Sequence, residues 1–513
     1  MRRDVLVVIA AGLGFSIWGG ACKTLDRPAT SCANKSDCFG NEQCCSGTCV
    51  KVAECELLDG GADAGADAGA DAGAGAGAGA DAGLPGVDAG PLKCGDASVF
   101  DTVDASMGSS SNTEEVAIAT RAGADRAHVV WVKKFGSYQN SYGATYYFTQ
   151  RTWSAPTLLD TASNVYAESP RIAVDGNGTG MATWYDGFAY TVYASRNLSG
   201  IWSLPMTLAV NDGGSPRFPK VAVDRVGNAV VVWQQNRASI TDVWARRFDV
   251  QAATWDDAGL VSAIDAGVAD NPDVAVDDTG NATVIWRYTN ASAYSVWAAR
   301  RVFDAGAWSA PVELGLGDAG QTGFIGFPSV VAASATGDVF AAWRQLVGGV
   351  ETYIYVNRFS AASGSWQGPV RIDTLGASWN PVIATNSDGY LIATWTRYDA
   401  GTQFIDANRF TGGMGTEPLS FNNSYAEWGR VAVSDNARAL VAWRERDAGV
   451  YAVRFAQLAS LSGAWSAPET LASHPDAGLG VPYVAMASDG RAVVVWYTES
   501  GGRTSLRGAL CEP

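Results

Sequence analysis

One pattern recurs eight times between about residue 114 and the C-terminus: an apolar strand, a tight polar turn, and a second strand ending in tryptophan. The closing tryptophans are Trp131, Trp184, Trp233, Trp286, Trp343, Trp395, Trp443 and Trp496, separated by 53, 49, 53, 57, 52, 48 and 53 residues. A fixed period near 50 residues means an array of one supersecondary unit, radial or stacked. Most of the 19 tryptophans fall at repeat positions, where packing between neighbouring units is their expected use.

The unit is written most clearly in its third copy. Strand A is the Val-Ala-Val-Asp run from Pro219 to Asp224, and strand B leads past Gly227 to Trp233. Strand C is Val243-Trp-Ala-Arg-Arg-Phe248, and strand D begins at Trp255, where other copies read Trp-Ser-Ala-Pro. Four short antiparallel strands per period match a β-propeller blade. Long amphipathic helical stretches are absent, so the fold class is all-β: an eight-bladed β-propeller of four-stranded antiparallel blades.

The chain ends predict how the ring closes. Strand D follows copies one to seven, at Trp153, Trp202, Trp255, Trp308, Trp366, a degenerate Thr416-Glu-Pro418, and Trp465. Copy eight has none, but Cys94-Gly-Asp-Ala-Ser-Val-Phe-Asp101-Thr aligns with Trp153-Ser-Ala-Pro-Thr-Leu-Leu-Asp160-Thr. The N-terminal strand is therefore expected to complete the last blade and bury otherwise open edges, which resembles the velcro closure of many propellers. Cys511 would end strand C and Cys94 begin strand D of one blade, so a Cys94–Cys511 disulfide is expected in place of the hairpin loop.

The A–B turn carries Asp175, Asp224 and Asp277, each with Gly three residues later; Ser334, Asn386 and Ser434 take the place of Asp in other copies. Short oxygen-bearing side chains there cap backbone N–H groups. Calcium ligation is the sharper alternative, but no second carboxylate recurs, so no metal is expected.

The N-terminus reads as an export signal: Arg2 and Arg3 precede an apolar stretch from Val5 to Trp18, too short for a comfortable membrane span. The following Gly19-Gly20-Ala21-Cys22 resembles a bacterial lipobox. That resemblance implies a signal peptide over residues 1–21 and lipidation of Cys22, hence an exported, membrane-anchored lipoprotein of the outer membrane or cell surface. The eight remaining cysteines are then expected in disulfides. Six crowd into residues 32–55 with spacing C-x5-C-x5-CC-x3-C-x5-C, which resembles the knottin framework. The resemblance implies pairs Cys32–Cys45, Cys38–Cys49 and Cys44–Cys55 in a module over residues 22–55; spacing alone allows fifteen connectivities. Residues 56–93 hold an Asp/Ala/Gly tract with no aromatic residue, expected to be a disordered tether reaching roughly 30–40 Å. The propeller would occupy residues 94–513.

With 36 basic and 52 acidic residues the net charge is −16, which argues against nucleic acid or an anionic membrane surface as partner. Contact with the membrane is expected through the lipid alone, and a monomer is expected. Candidate ligand contacts follow the tryptophans by one or two residues: Lys133, Tyr185, Gln234, Arg287, Arg344, Arg397, Arg444 and Tyr497. They would ring the channel mouth on the face of the B–C loops, where Phe135, Tyr138, Tyr142, Phe188, Tyr288 and Tyr294 add rings. Arginine beside aromatics suits sugars or carboxylates. The competing reading pairs these arginines with acids of neighbouring blades, such as Glu445 or Asp399. Strand C arginines (Arg196, Arg246, Arg300, Arg358, Arg409, Arg454) are more uniform and expected to pack blades.

The expected function is recognition of extracellular glycan or protein, with no catalytic residue and no cofactor assigned. Two histidines, His128 and His474, lie in no zinc or triad spacing. The propeller is distantly similar to that of sialidases, which implies an alternative glycosidase using an arginine cluster with a Tyr/Glu pair. Sialidase Asp-boxes (S-x-D-x-G-x-T-W) are absent: here Trp lies nine residues after Asp175, Asp224 and Asp277. A structural envelope protein with no discrete ligand is the third reading.

Overall fold

The computed structural model describes residues 42–45, 48–51 and 91–513, the last apart from residues 96–97, 104–115 and loop segments further on. The chain divides into two compact units, Met1–Gly86 and Val87–Pro513. Within the first, Glu42–Cys45 and Thr48–Lys51 form an antiparallel hairpin with Cys44 opposite Cys49. The expected signal peptide, Cys22, the three knottin-type pairings and the tether up to residue 90 lie outside the described residues.

The second unit is an all-β propeller fold. Eight four-stranded antiparallel sheets can be followed among the described residues, some joined into larger ladders by single parallel contacts. In the third, Ser215–Val223 (A) pairs with Ala229–Arg237 (B), which pairs with Ile240–Asp249 (C). Strand D is split into Thr254–Trp255 and Gly259–Leu260, both on C. In units one and two the break falls at Pro156 and Pro205, which cannot donate to the ladder, whereas in unit five Ser365–Arg371 runs through Pro369 with a register shift in its partner strand.

The recurring tryptophans explain how the units stack. Each is at most 1% exposed, and each anchors its own hydrophobic cluster with residues of the preceding unit. Trp286 packs on Val230, Val232, Val243 and Ala245 of unit three, and Trp496 on Leu440, Ala442, Val453 and Phe455 of unit seven. Trp131 of the first unit packs on Val493, Val495 and Leu506 of the last. Strand A of each unit lies beside that of the next, and Tyr483–Met486 of unit eight lies beside Val116–Ala119 of unit one. The A strands thus surround a channel.

Unit eight takes its outer strand from the other end of the sequence. Lys93–Cys94 and Ser98–Val103 pair antiparallel with Arg503–Glu512, and Cys94 is disulfide-bonded to Cys511. The tether was expected to run to residue 93, and its last residues depart from that. Leu92 is 2% exposed, its N–H donates to Gln457 Oε1 (2.5 Å), and its carbonyl accepts from Gln457 Nε2 (2.9 Å). An apolar side chain with both backbone groups satisfied belongs to the core, so the ordered chain starts before Cys94.

The A–B turns are capped as read. Asp224 Oδ1 accepts from the N–H groups of Val226, Gly227 and Asn228 at 3.0, 2.7 and 2.8 Å, and Oδ2 accepts from Asn228 Nδ2 at 2.6 Å. Asp277 accepts two N–H groups and Asn281 Nδ2, Asp175 accepts two N–H groups, and Asn386 and Ser434 provide single-acceptor versions. Gly227, at φ +106°, sits where a Cβ would meet Asp175 Oδ2 at 3.0 Å.

Candidate functional site: the bulged mouth of the channel

Strand A is not a regular strand. In six units, among the described residues, the A–B register slips at the level of the tryptophan, between Glu168 and Arg171, Arg217 and Lys220, Asp270 and Asp273, Gly326 and Val330, Trp379 and Val382, and Glu427 and Arg430. These are β-bulges, which bend a strand and re-aim its side chains. In five of them the bulged residue is non-glycine in the left-handed region: Ser169 (φ 53°), Phe218 (51°), Asn271 (52°), Asn380 (52°) and Trp428 (60°). Four precede proline, which already restricts the residue before it. Such backbone costs of order 1–3 kcal/mol per residue and concentrates at ligand clamps.

The neighbouring unit holds the bulges in place. The Asn271 N–H donates to Gln234 Oε1 of unit three (2.9 Å), and the Trp428 N–H to Thr396 Oγ1 of unit six (3.3 Å). Beside these bulges two large rings stay open to solvent, Phe218 at 38% and Trp379 at 46% exposure, and Arg217 is exposed as well. Arg344 of unit five lies over the Trp379 ring at 5.0 Å, and burial lowers its pKa. A second aromatic group gathers on the B–C side of units one and two, where Phe188 meets Tyr138 (6.3 Å) and Tyr166 (5.3 Å). Asp186 orders that loop by accepting from the N–H groups of Phe188, Ala189 and Tyr166.

The eight sequence-derived contact residues do not form one ring, because side chains alternate along a strand. Tyr185, Gln234, Arg287, Arg344, Arg444 and Tyr497 lie one residue after their tryptophans and share the face toward the next unit. Lys133 and Arg397 lie two residues after and occupy the opposite face. Arg397 is only 7% exposed, bonded to Asp406 (2.6 Å) and Asp399 (3.1 Å) and stacked on Phe404 at 4.4 Å. Lys133 lies over Tyr142 at 5.5 Å. Tyr185 is 3% exposed and packs between units.

Arg287 and Arg444 pair with acids of their own unit rather than a neighbour's. Arg287 grips Asp270 through two bonds, 2.7 and 2.5 Å, and Arg444 pairs with Glu427 while donating to Leu479 O at 3.2 Å. Asp270 and Glu427 are the residues directly before the bulges, so these pairs brace the mouth. Tyr497 packs on Gly480, whose Cβ position lies 2.2 Å from the ring. The bulge residues themselves were missed. Their signal was present in Pro170, Pro219, Pro272 and Pro381, each placed inside an apolar strand run where proline marks a bulge.

Of the strand C arginines, two lie over rings of the next unit, whereas Arg358 pairs with Asp338 and Arg454 with Glu445 inside their own units. Arg196 lies over Phe248 of the next unit at 5.2 Å, and Arg300 over Phe359 of the next at 3.7 Å. Among titratable groups, His128 is fully buried between Thr145 Oγ1 (2.9 Å) and Gly178 O (2.8 Å), and burial drives its pKa down to about 4. Burial raises Asp160 to about 6, opposed by the Ser141 N–H that it accepts at 2.6 Å. Glu168 stands opposite Tyr185 in register, burial raises both pKa values, and the charge of Arg217 opposes both shifts. Among the described residues no group of three or more His, Cys, Asp or Glu is placed to hold a metal ion.

No protein-family model matches the chain, and no curated protein does. Solved structures similar to it include a polysaccharide lyase, a PL25 ulvan lyase bound to -[GlcA(1-4)Rha3S]-, at 9% identity and TM-score 0.44, covering 82% of this chain and 94% of that one. A Hadza microbial sialidase is similar at 13% identity and TM-score 0.36, covering 81% and 94%. The β-propeller domain of the Trilobed protease from Pyrococcus furiosus is similar at 8% identity and TM-score 0.42, covering 71% and 99%. Identities this low concern the fold alone.

Proposed function

We propose that this chain is an exported, lipid-anchored binding protein that recognises extracellular glycan at the bulged mouth of its propeller. The observation that carries the reading is the pair of exposed rings, Phe218 and Trp379, set beside strained bulges with Arg217 and Arg344 at hand. Aromatic faces stack on sugar rings, and guanidinium groups bind hydroxyl or carboxylate oxygens in pairs. Export and anchoring rest on Arg2, Arg3, the apolar run from Val5 to Trp18, and Cys22. Glycan-array and pull-down screens with the mature protein test the reading. A ligand lost in Trp379→Ala and Phe218→Ala, with unchanged melting, supports it. A ligand retained in the double variant, or captured protein in place of glycan, counts against it.

A second reading is a sialidase-like glycosidase, favoured by one observation. Glu168 and Tyr185 face each other across the A–B ladder with the charge of Arg217 acting on both, the Tyr/Glu/Arg combination that such an enzyme needs. Turnover of an aryl sialoside by the wild type, abolished in Tyr185→Phe, would establish it; no turnover would dispose of it.

A further inference from the structure

The far end of the channel has an organisation of its own. A cavity of about 380 Å³ opens where seven of the eight A–B turns converge, lined by Arg121, Arg225, Asp278, Ser387, Asp435 and Ser488 among others. That volume lies near the lower bound of small-molecule sites, roughly 300–1,000 Å³. Arg121 crosses the lumen: it starts in unit one, donates to Val223 O of unit three at 2.6 Å, and pairs with Asp278 of unit four. The crossing side chain partly bars this end and neutralises Asp278.

Two charged groups are left with capacity. Arg225 is exposed on the cavity wall, and its guanidinium makes no hydrogen bond or ion pair among the described residues. Asp435 accepts the Ser387 N–H at 2.9 Å through Oδ1, which leaves its second oxygen to accept from a ligand. A matching ligand carries an anionic oxygen pair for the planar donor fork of Arg225 and a hydroxyl donor for Asp435. The Thr120, Thr385 and Ser434 hydroxyls already donate within the protein, but the buried Asn386 Nδ2 has no hydrogen-bond partner among the described residues, which favours a hydroxylated molecule over an apolar one.

We propose that this cavity is a binding site for a small hydroxylated carboxylic acid of sugar-acid type, separate from the bulged mouth. Arg225 holds the carboxylate, Asp435 accepts from a hydroxyl, and the Arg121–Asp278 pair forms the floor.

The test is titration calorimetry of the mature protein with D-glucuronate, D-glucose and glycine. Saturable glucuronate binding is expected, at least tenfold weaker for glucose, which differs by the carboxylate. Arg225→Ala should weaken glucuronate binding at least tenfold with unchanged melting, because the guanidinium it removes makes no other hydrogen bond or ion pair among the described residues. Trp379→Ala should leave it untouched, which separates this site from the mouth. No saturable glucuronate binding, equal affinity for glucose, tighter binding of glycine, or an unaffected Arg225→Ala variant would each overturn the proposal.

Discussion

Units three and eight contain the same strands in the same order, yet one is a single stretch of chain and the other joins both ends of the propeller. In unit three the end of strand C meets the start of strand D through Phe248 and Trp255, ring centroids 5.3 Å apart. In unit eight that register position holds Cys511 opposite Cys94. An aromatic contact contributes about 0.5–1.5 kcal/mol beyond its buried area, which suffices when the strands are close in sequence. The unit eight partners are 417 residues apart, so the closure entropy is far larger and a covalent bond replaces the ring pair. The same geometry is thus secured by whichever interaction matches the length of chain it must close.

The largest test of that difference removes the bond. Cys94→Ala with Cys511→Ala should lower stability by about 6 kcal/mol in the chain-entropy account, read from denaturant unfolding of the disulfide-intact and variant proteins. A loss no greater than that of Trp255→Ala would mean that unit eight is held like its neighbours.

Next in size is the inter-unit core. Trp233→Ala and Trp496→Ala should each cost about 3–5 kcal/mol, because both tryptophans are 0% exposed in equivalent clusters. A markedly smaller loss at Trp496 would show that the two-ended unit is packed less well than the contiguous one.

The turn separates the two units further. Asp224 caps unit three with four accepted hydrogen bonds, whereas unit eight has Ala487 in that place, and its turn keeps two backbone bonds (Ala487 N–H to Arg491 O, Gly490 N–H to Ala487 O) and one side-chain acceptor, Asp489 Oδ1, for the Arg491 N–H. Asp224→Ala should cost about 2–3 kcal/mol, since it strands buried donors. Unchanged thermal unfolding would show that the cap matters as little in unit three as in unit eight.

The smallest net effect is pH-dependent. The residue ending strand D caps strand C: Ser262 does so for Val243 N–H in unit three, and Asp160 for Ser141 N–H in unit one. Burial raises Asp160 to about 6, above its ordinary value of 3.8, so the native state binds its proton more tightly than the unfolded chain. Its ionisation therefore erodes stability as pH rises from about 4 to 6, by on the order of 3 kcal/mol. His128, lowered to about 4, acts in the opposite sense over an overlapping range. Comparing wild type with Asp160→Ser at pH 4 and pH 7 isolates the carboxylate. A difference independent of pH would contradict the assignment.

The array was legible because its physics is local and periodic. Tryptophan spacing, turn acids followed by glycine, and the match of Cys94 to Trp153 each follow from short-range patterns. The mouth was harder to read. Whether Arg397 joins Arg344 depends on one residue of strand parity, and an offset of two from Trp395 sends it into the interior. The partners of Arg287 and Arg444 come from strand A of the same unit, beside bulges whose trace in the sequence was Pro272 in unit four and nothing but Gly429 in unit seven. The cavity at the turn end was not visible at all, since Arg121 reaches Asp278 across the lumen over 157 residues. Only a ring arrangement brings those two together.

Both candidate sites depend on the A strands meeting around one axis, and that depends on the last sheet being finished by the strand that begins with Cys94. Peptide mapping of the non-reduced protein by mass spectrometry addresses this directly. The expected result is one cross-linked fragment containing Cys94 and Cys511, split by reduction. Recovery of both as free thiols, or of either joined to a cysteine from residues 32–55, would contradict the account.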